Sequence, residues 1–257
     1  MDKSQKFFKI SFIIIIGSIL VFYLGFGLHS FLSYEKNYKN QNFVLADEKD
    51  SEVWREHSVL LNKAGDFRKG FLSLNKAVEL NPVENLGYRG WIRLRKLRDY
   101  DKALIDFNKL DSLTPNFVDA PNGEDIDFLR GECYFGKKNY DKAKEFFHKS
   151  IENQKEDWAD IHSFIYLGLC EYYLENYEKA IDEFQNVLQQ NKNVPEAYFG
   201  LAKVYYRLGE KEKAEENIHK AEETLEYKRE DIYNEFLNEI YLSQILILKK
   251  KIEKLKI

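Results

Sequence analysis

Cysteine is almost absent from this chain. Cys133 and Cys170 are the only two in 257 residues, so a disulfide framework is excluded. Four prolines beside 44% apolar residues exclude a proline-rich or largely disordered polypeptide. The five histidines, His29, His57, His148, His162 and His219, never pair at metal-ligand spacing. Phosphate-cradling G-x-x-x-x-G-K-[ST] and G-x-G-x-x-G, the nucleophile elbow G-x-S-x-G and the zinc helix H-E-x-x-H are all missing. The sequence therefore nominates no catalytic residue, no metal ligand and no cofactor. Nor is there an excess of positive charge: the formal net charge is −4, which leaves no electrostatic footprint for nucleic acid. Glu215-Glu216 and Glu222-Glu223 lie in a lysine-dense segment and read as a solvated helix face.

Charge is also missing from one continuous stretch. Residues 10–32 contain no Asp, Glu, Lys or Arg, and 23 residues in a helix, at about 1.5 Å each, exceed a hydrocarbon layer of roughly 30 Å. The run is longer than the roughly 7–15 residues of a cleaved signal, and no small-x-small exit follows it. A retained transmembrane signal-anchor is expected. Lys3, Lys6 and Lys9 precede it against Asp2, while Lys36 and Lys39 follow it beside Glu35. This bias places residues 1–9 in the cytoplasm and the remainder on the outer, periplasmic or extracytoplasmic, side. Residues 1–32 carry three Lys and one Asp, so the rest of the chain holds a formal −6. Residues 33–50, rich in Asn, Lys and Asp, read as a polar linker.

What the rest has in abundance is repetition. Asp66-Phe67-Arg68-Lys69-Gly70 returns as Asp99-Tyr100-Asp101-Lys102-Ala103, Asn139-Tyr140-Asp141-Lys142-Ala143, Asn176-Tyr177-Glu178-Lys179-Ala180 and Glu210-Lys211-Glu212-Lys213-Ala214. The small residues lie 33, 40, 37 and 34 positions apart, a period that marks stacked helix pairs. The first unit adds Trp54, Leu61, Leu74, Ala77 and Pro82, the second Phe107 and Pro115, and the third Gly131, Tyr134 and Phe147. The fourth adds Leu167, Gly168 and Phe184, and the fifth Tyr198, Leu201, Tyr205, Gly209 and Ala221.

These positions resemble the tetratricopeptide repeat family over residues 50–225. The resemblance implies an all-α, right-handed superhelical solenoid of about five helix pairs, at residues 51–83, 84–115, 124–155, 158–192 and 195–228, within an array over 51–228. Gly131, Gly168 and Ala202 should receive a neighbouring helix, with Phe107, Phe147, Phe184 and Ile218 between successive units. Tyr100, Tyr140 and Tyr177 should wedge into the turns, and Pro82 and Pro115 should stop second helices. Cys133 and Cys170 occupy equivalent places two residues after a crossing glycine and read as packing residues. Residues 116–125 lengthen one spacing and read as an exposed, acidic loop with Asp125 near a helix start. They lack the D-x-D-x-D-G pattern of a calcium loop.

In this family the first helices line a concave groove. Tyr88, Arg95, Lys96, Phe128, Phe135, Ile165, Tyr172, Tyr173, Phe199, Tyr206 and Arg207 would then form a partner-binding wall, with Ile92, Glu132, Leu169 and Lys203. Aromatics with Arg anchor interfaces, so a protein or peptide segment is the implied ligand. The places that hold a ligand carboxylate in chaperone-binding relatives carry Arg55, Val59, Tyr88 and Ile92, which argues against carboxyl-terminal peptide capture. Residues 229–257 read as a capping helix with Ile232, Phe236, Ile240, Ile245, Leu248, Ile252 and Leu255 on one stripe and a basic tail. The run Ile245-Leu246-Ile247-Leu248 also permits dimerisation. The resulting expectation is a membrane-tethered, non-enzymatic interaction scaffold, or alternatively a structural subunit or assembly factor of an envelope complex that uses the end helix and edges.

Overall fold

A computed structural model of the protein describes residues 48–155, 159–230 and 235–255. The predicted span, residues 10–32, lies outside the described residues. Among those described, no helix is long and apolar enough to cross a membrane.

The described residues form eleven α-helices and no strand. Ten make five consecutive pairs: α1 (Ser51–Lys63) with α2 (Phe67–Leu80), α3 (Pro82–Arg95) with α4 (Tyr100–Leu113), α5 (Ile126–Gly136) with α6 (Tyr140–Gln154), α7 (Ile161–Tyr173) with α8 (Tyr177–Gln190), and α9 (Pro195–Leu208) with α10 (Lys211–Glu223). Each second helix packs on its own first helix and on the first helix of the next pair. An eleventh helix, α11 (Leu242–Glu253), closes the stack against α10 through Ile245, Leu248 and Ile252.

The recurring phrase is the start of every second helix. Asp66, Asp99 and Asn139 cap α2, α4 and α6, accepting from the backbone N–H of Lys69, Lys102 and Lys142, which satisfies donors left open at a helix start. One residue before each cap the backbone turns left-handed, at Gly65 (φ 81°), Arg98 (53°), Lys138 (61°), Glu175 (62°) and Gly209 (76°). That residue folds the second helix back onto the first. Three of the five places carry a Cβ in a conformation that suits glycine.

Packing depends on rings meeting missing side chains. A Cβ on Gly90 would lie 2.6 Å from the Phe107 ring, and one on Gly131 2.6 Å from Phe147. Phe184 is enclosed from both sides, since a Cβ would come within 2.7 Å of it at Gly168 and 2.4 Å at Gly200. Gly70, where the family usually has Ala, leaves room for the Asn62 amide, 2.0 Å from where its Cβ would be. Interiors packed without voids admit no such extra atom unless the neighbour moves. Cys133 and Cys170 are free and fully buried, and burial pushes both thiols well above the ordinary range.

As expected, α2 ends at Leu80, with Asn81 extended before Pro82; Pro82 is also the first residue of α3, where its missing N–H costs nothing, and Asn81 caps that helix. Two expectations change. Tyr100 and Tyr140 wedge between pairs rather than into turns: the Tyr100 ring faces Gly136, and Tyr140 stacks on Tyr173 at 4.8 Å. The last helix begins at Leu242 rather than near Asp231. Residues 235–241 lie outside any helix, yet Phe236 and Ile240 are buried.

Candidate functional site

The first helices present one shared face, and the residues expected to bind a partner fall into three environments on it. Toward the amino-terminal ends of α7 and α9, that face is covered. After α10 the chain returns across it: the Arg229 backbone N–H donates to Glu196 Oε1 at 3.2 Å, and Asn238 Nδ2 lies 3.2 Å from His162 Nδ1. Glu235 reaches the end of α3, 3.7 Å from Lys96 and 4.0 Å from Arg98. The Phe236 ring sits between two guanidiniums, 4.7 Å from Arg95 and 3.8 Å from Arg229, an arrangement favoured by the negative face of the ring.

Beneath this strap is a buried ionic network. Arg95, fully buried, lies 2.6 Å from Glu132 and 2.6 Å from Glu124. Tyr166 Oη donates to Glu132 at 2.7 Å and Trp91 Nε1 to Glu124 at 2.9 Å. Arg229 adds a second cation 3.6 Å from Glu124 and 3.7 Å from Asp160. Burial raises Glu124 above the usual carboxylate range even with Arg95 beside it. It drives Tyr166 well up, with Glu132 adding to the effect. His162 goes the other way: burial, then Arg229, depress it against the pull of Asp160.

The second environment is open. Between α1 and α3 a cavity of about 860 Å³ is lined by Arg55, Val59, Tyr88, Trp91, Ile92 and Lys96, with Glu235 at its edge. Tyr88 and Trp91 stack at 6.2 Å.

The third is a shelf at the carboxyl end of α7. Phe135, Tyr140 and Tyr173 pack ring on ring, and Tyr172 meets Tyr173 edge-on at 5.3 Å. Lys203 Nζ stands 4.2 Å over Tyr172 and 5.0 Å over Tyr173, while Arg207 Nε donates to Tyr172 Oη at 3.3 Å. No described carboxylate pairs with Lys203, and burial, helped by Arg207, lowers it to about 8.

Of the predicted wall, Tyr88 and Lys96 line the cavity, and Phe135, Tyr172, Tyr173 and Arg207 form the shelf. Phe199 and Tyr206 are half-buried against the core. Arg95, Phe128 and Ile165 are not free surface at all, being fully or almost fully buried. Sequence reasoning gave no role to Trp91, Glu124, Tyr166, Arg229, Glu235 or Asn238. The one available signal was the lengthened spacing before the third pair, whose extra residues deliver Glu124 to Arg95. Among the described residues no group of three or more His, Cys, Asp or Glu could hold a metal ion.

Residues 168–209 match the TPR repeat and residues 128–157 and 195–224 the tetratricopeptide repeat. A TPR repeat-containing protein of Methanocaldococcus jannaschii is 28% identical over 256 residues, covering 90% of this chain. The chain spans 40% of that relative's length. Among solved structures, MamA (41-end) from Desulfovibrio magneticus RS-1 superposes with a TM-score of 0.59 at 19% identity, over 72% of this chain and 98% of the other. PilW, described as a widely conserved type IV pilus biogenesis factor, gives 0.61 at 18%, over 79% and 84%. YrrB, described as having an unusual peptide-binding site, gives 0.53 at 17%, over 74% and 90%. At these identities the solved structures speak for the fold alone, and that fold agrees with the matched segments: the described residues have the all-helical fold of a tetratricopeptide-repeat solenoid.

Proposed function

We propose that this protein is a non-catalytic interaction module that holds a protein or peptide segment in the cavity between α1 and α3, and that residues 10–32 tether it to a membrane with residues 1–9 cytoplasmic and the array on the outer side. The observation that carries the binding role is the cavity itself: about 860 Å³, within the range of roughly 300–1,000 Å³ that ligand clefts occupy. It sets Tyr88 and Trp91 beside Arg55 and Lys96, side-chain types that dominate binding energy at interfaces. A peptide-binding site is named for one structural neighbour and type IV pilus biogenesis for another; those roles belong to those proteins, and they agree with the proposal without extending it.

Selection of a random peptide library on the whole chain tests the cavity. Peptides with an apolar or aromatic side chain near an acid should be enriched, and Tyr88→Ala and Lys96→Glu should each weaken them by about tenfold. Enriched peptides indifferent to both changes would contradict the reading. A second reading, assembly through the end helix, draws on Leu246 and Ile247, which remain 40% and 56% exposed on α11. It predicts that Ile247→Glu, and not Tyr88→Ala, abolishes capture by a larger complex.

A further inference from the structure

The strap makes contacts of a kind unlike the rest of the stack. Elsewhere the pairs are joined by rings seated on glycines and by apolar side chains. Residues 235–240 bury Ile240 and pack Leu237 on the core, but they add a carboxylate, a ring clasped by guanidiniums and an amide: Glu235 toward Lys96 and Arg98, Phe236 between Arg95 and Arg229, Asn238 on His162. Such a chain, without helix or strand, turning at residues 237–238 and lying across the first helices, occupies a seat that a bound peptide could take. The seat itself does not come from the strap. Arg95 is fixed from below by Glu132 and Glu124, and Glu132 in turn by Tyr166, all on or beside α3, α5 and α7. Two Arg95 nitrogens, Nε and Nη1, have no hydrogen-bond acceptor among the described residues, and the Phe236 ring lies 4.7 Å from the guanidinium carbon.

We propose that residues 235–240 are a resident ligand of this face, and that the seat beneath them accepts, from a partner protein, a segment in which an acidic residue is followed directly by an aromatic one. Glu235-Phe236 states the required chemistry. The acid meets Lys96 and Arg98, the ring meets Arg95, and the strap lowers the apparent affinity for any competitor in proportion to the time it occupies the seat. Its hold is loosest at Glu235, whose side chain is 62% exposed and whose ion pairs are long. Because Glu235 also edges the α1/α3 cavity, a ligand there that takes Lys96 would loosen the strap at its first residue.

The test uses the full chain and a fluorescent heptapeptide of residues 235–241 added in trans, read by anisotropy. In the wild type the seat is filled, so the peptide should bind weakly. In the Phe236→Ala chain it should bind about tenfold more tightly, while the same peptide with Ala in place of Phe should not. Should Phe236→Ala lose helical circular dichroism, Glu235→Ala serves instead; its exposed side chain supports no helix, and it should raise binding about threefold. Equal or undetectable binding by wild type and a folded variant would overturn the proposal. This readout rests on Phe236→Ala and Glu235→Ala, whereas the cavity is read through Tyr88→Ala, so failure here and failure of the cavity reading are told apart.

Discussion

The two ends of α7 carry similar chemistry and have opposite fates. At its amino-terminal end, aromatic rings and cations are closed over by the chain's own acids: Glu124, Glu132 and Asp160 face Arg95 and Arg229, and the strap seals them. At its carboxyl end Lys203 and Arg207 contact Tyr172 and Tyr173, and no described carboxylate forms an ion pair with either cation. A buried cation with partners keeps its charge. One without them is pushed toward giving up its proton, as Lys203 is. Sealing one end is a choice of structure over exposure, and the open end keeps its cations available.

Substitution should separate the ends most sharply at Arg95. Arg95→Ala leaves Glu132 buried without its cation and Glu124 with only Arg229, and breaking a buried pair from one side costs about 3–5 kcal/mol, to be read from urea unfolding. The matching change at the open end has the other sign. Lys203→Met removes an unpartnered, desolvated charge from an aromatic shelf and should stabilise by about 1 kcal/mol after the lost cation–ring contact is counted. A loss at Lys203 comparable to that at Arg95 would mean that the shelf is as dependent on its cation as the network is.

The same contrast should be visible against pH. Lys203 is depressed from 10.5 to about 8, so between those values the unfolded chain binds more protons and stability rises with pH; Lys203→Met should flatten that rise. His162 is also depressed from its ordinary 6.5. Its neutral form is the folded one, so the stability it contributes is complete above 6.5 and is lost as pH falls toward its folded value. Arg229, Asp160 and Asn238 face the ring, and the loss should appear first as hydrogen exchange in residues 235–240. His162→Asn should remove that sensitivity.

The smallest effect concerns the turns shared by both regions. Lys138 is exposed and sits at φ 61° between α5 and α6. Glycine there relieves a left-handed Cβ, and Lys138→Gly should stabilise by roughly 1 kcal/mol or less, since glycine also frees the unfolded chain.

What could be read from the sequence follows the same division. The seams between pairs were legible because their signals are local and periodic: a cap, a ring and a small residue recur at nearly fixed offsets, and Gly131 meets Phe147 as Gly168 meets Phe184. The sealed end was not. Arg95 finds Glu124 and Glu132 across separate helices, and Arg229 reaches Glu124 from the far end of the array, contacts for which no spacing rule exists. Phe236 and Ile240, four residues apart, imitated a helical stripe because a strap laid on a protein surface also buries its apolar residues at intervals.

The account turns on whether the chain's own strap lies in the seat. Proton–proton Overhauser spectroscopy on the whole protein gives the most direct answer: cross-peaks between the Phe236 ring and the side chains of both Arg95 and Arg229 are expected, as the rings and guanidiniums lie 4.7 and 3.8 Å apart. A Phe236 ring with averaged shifts and no contact to Arg95 would contradict it.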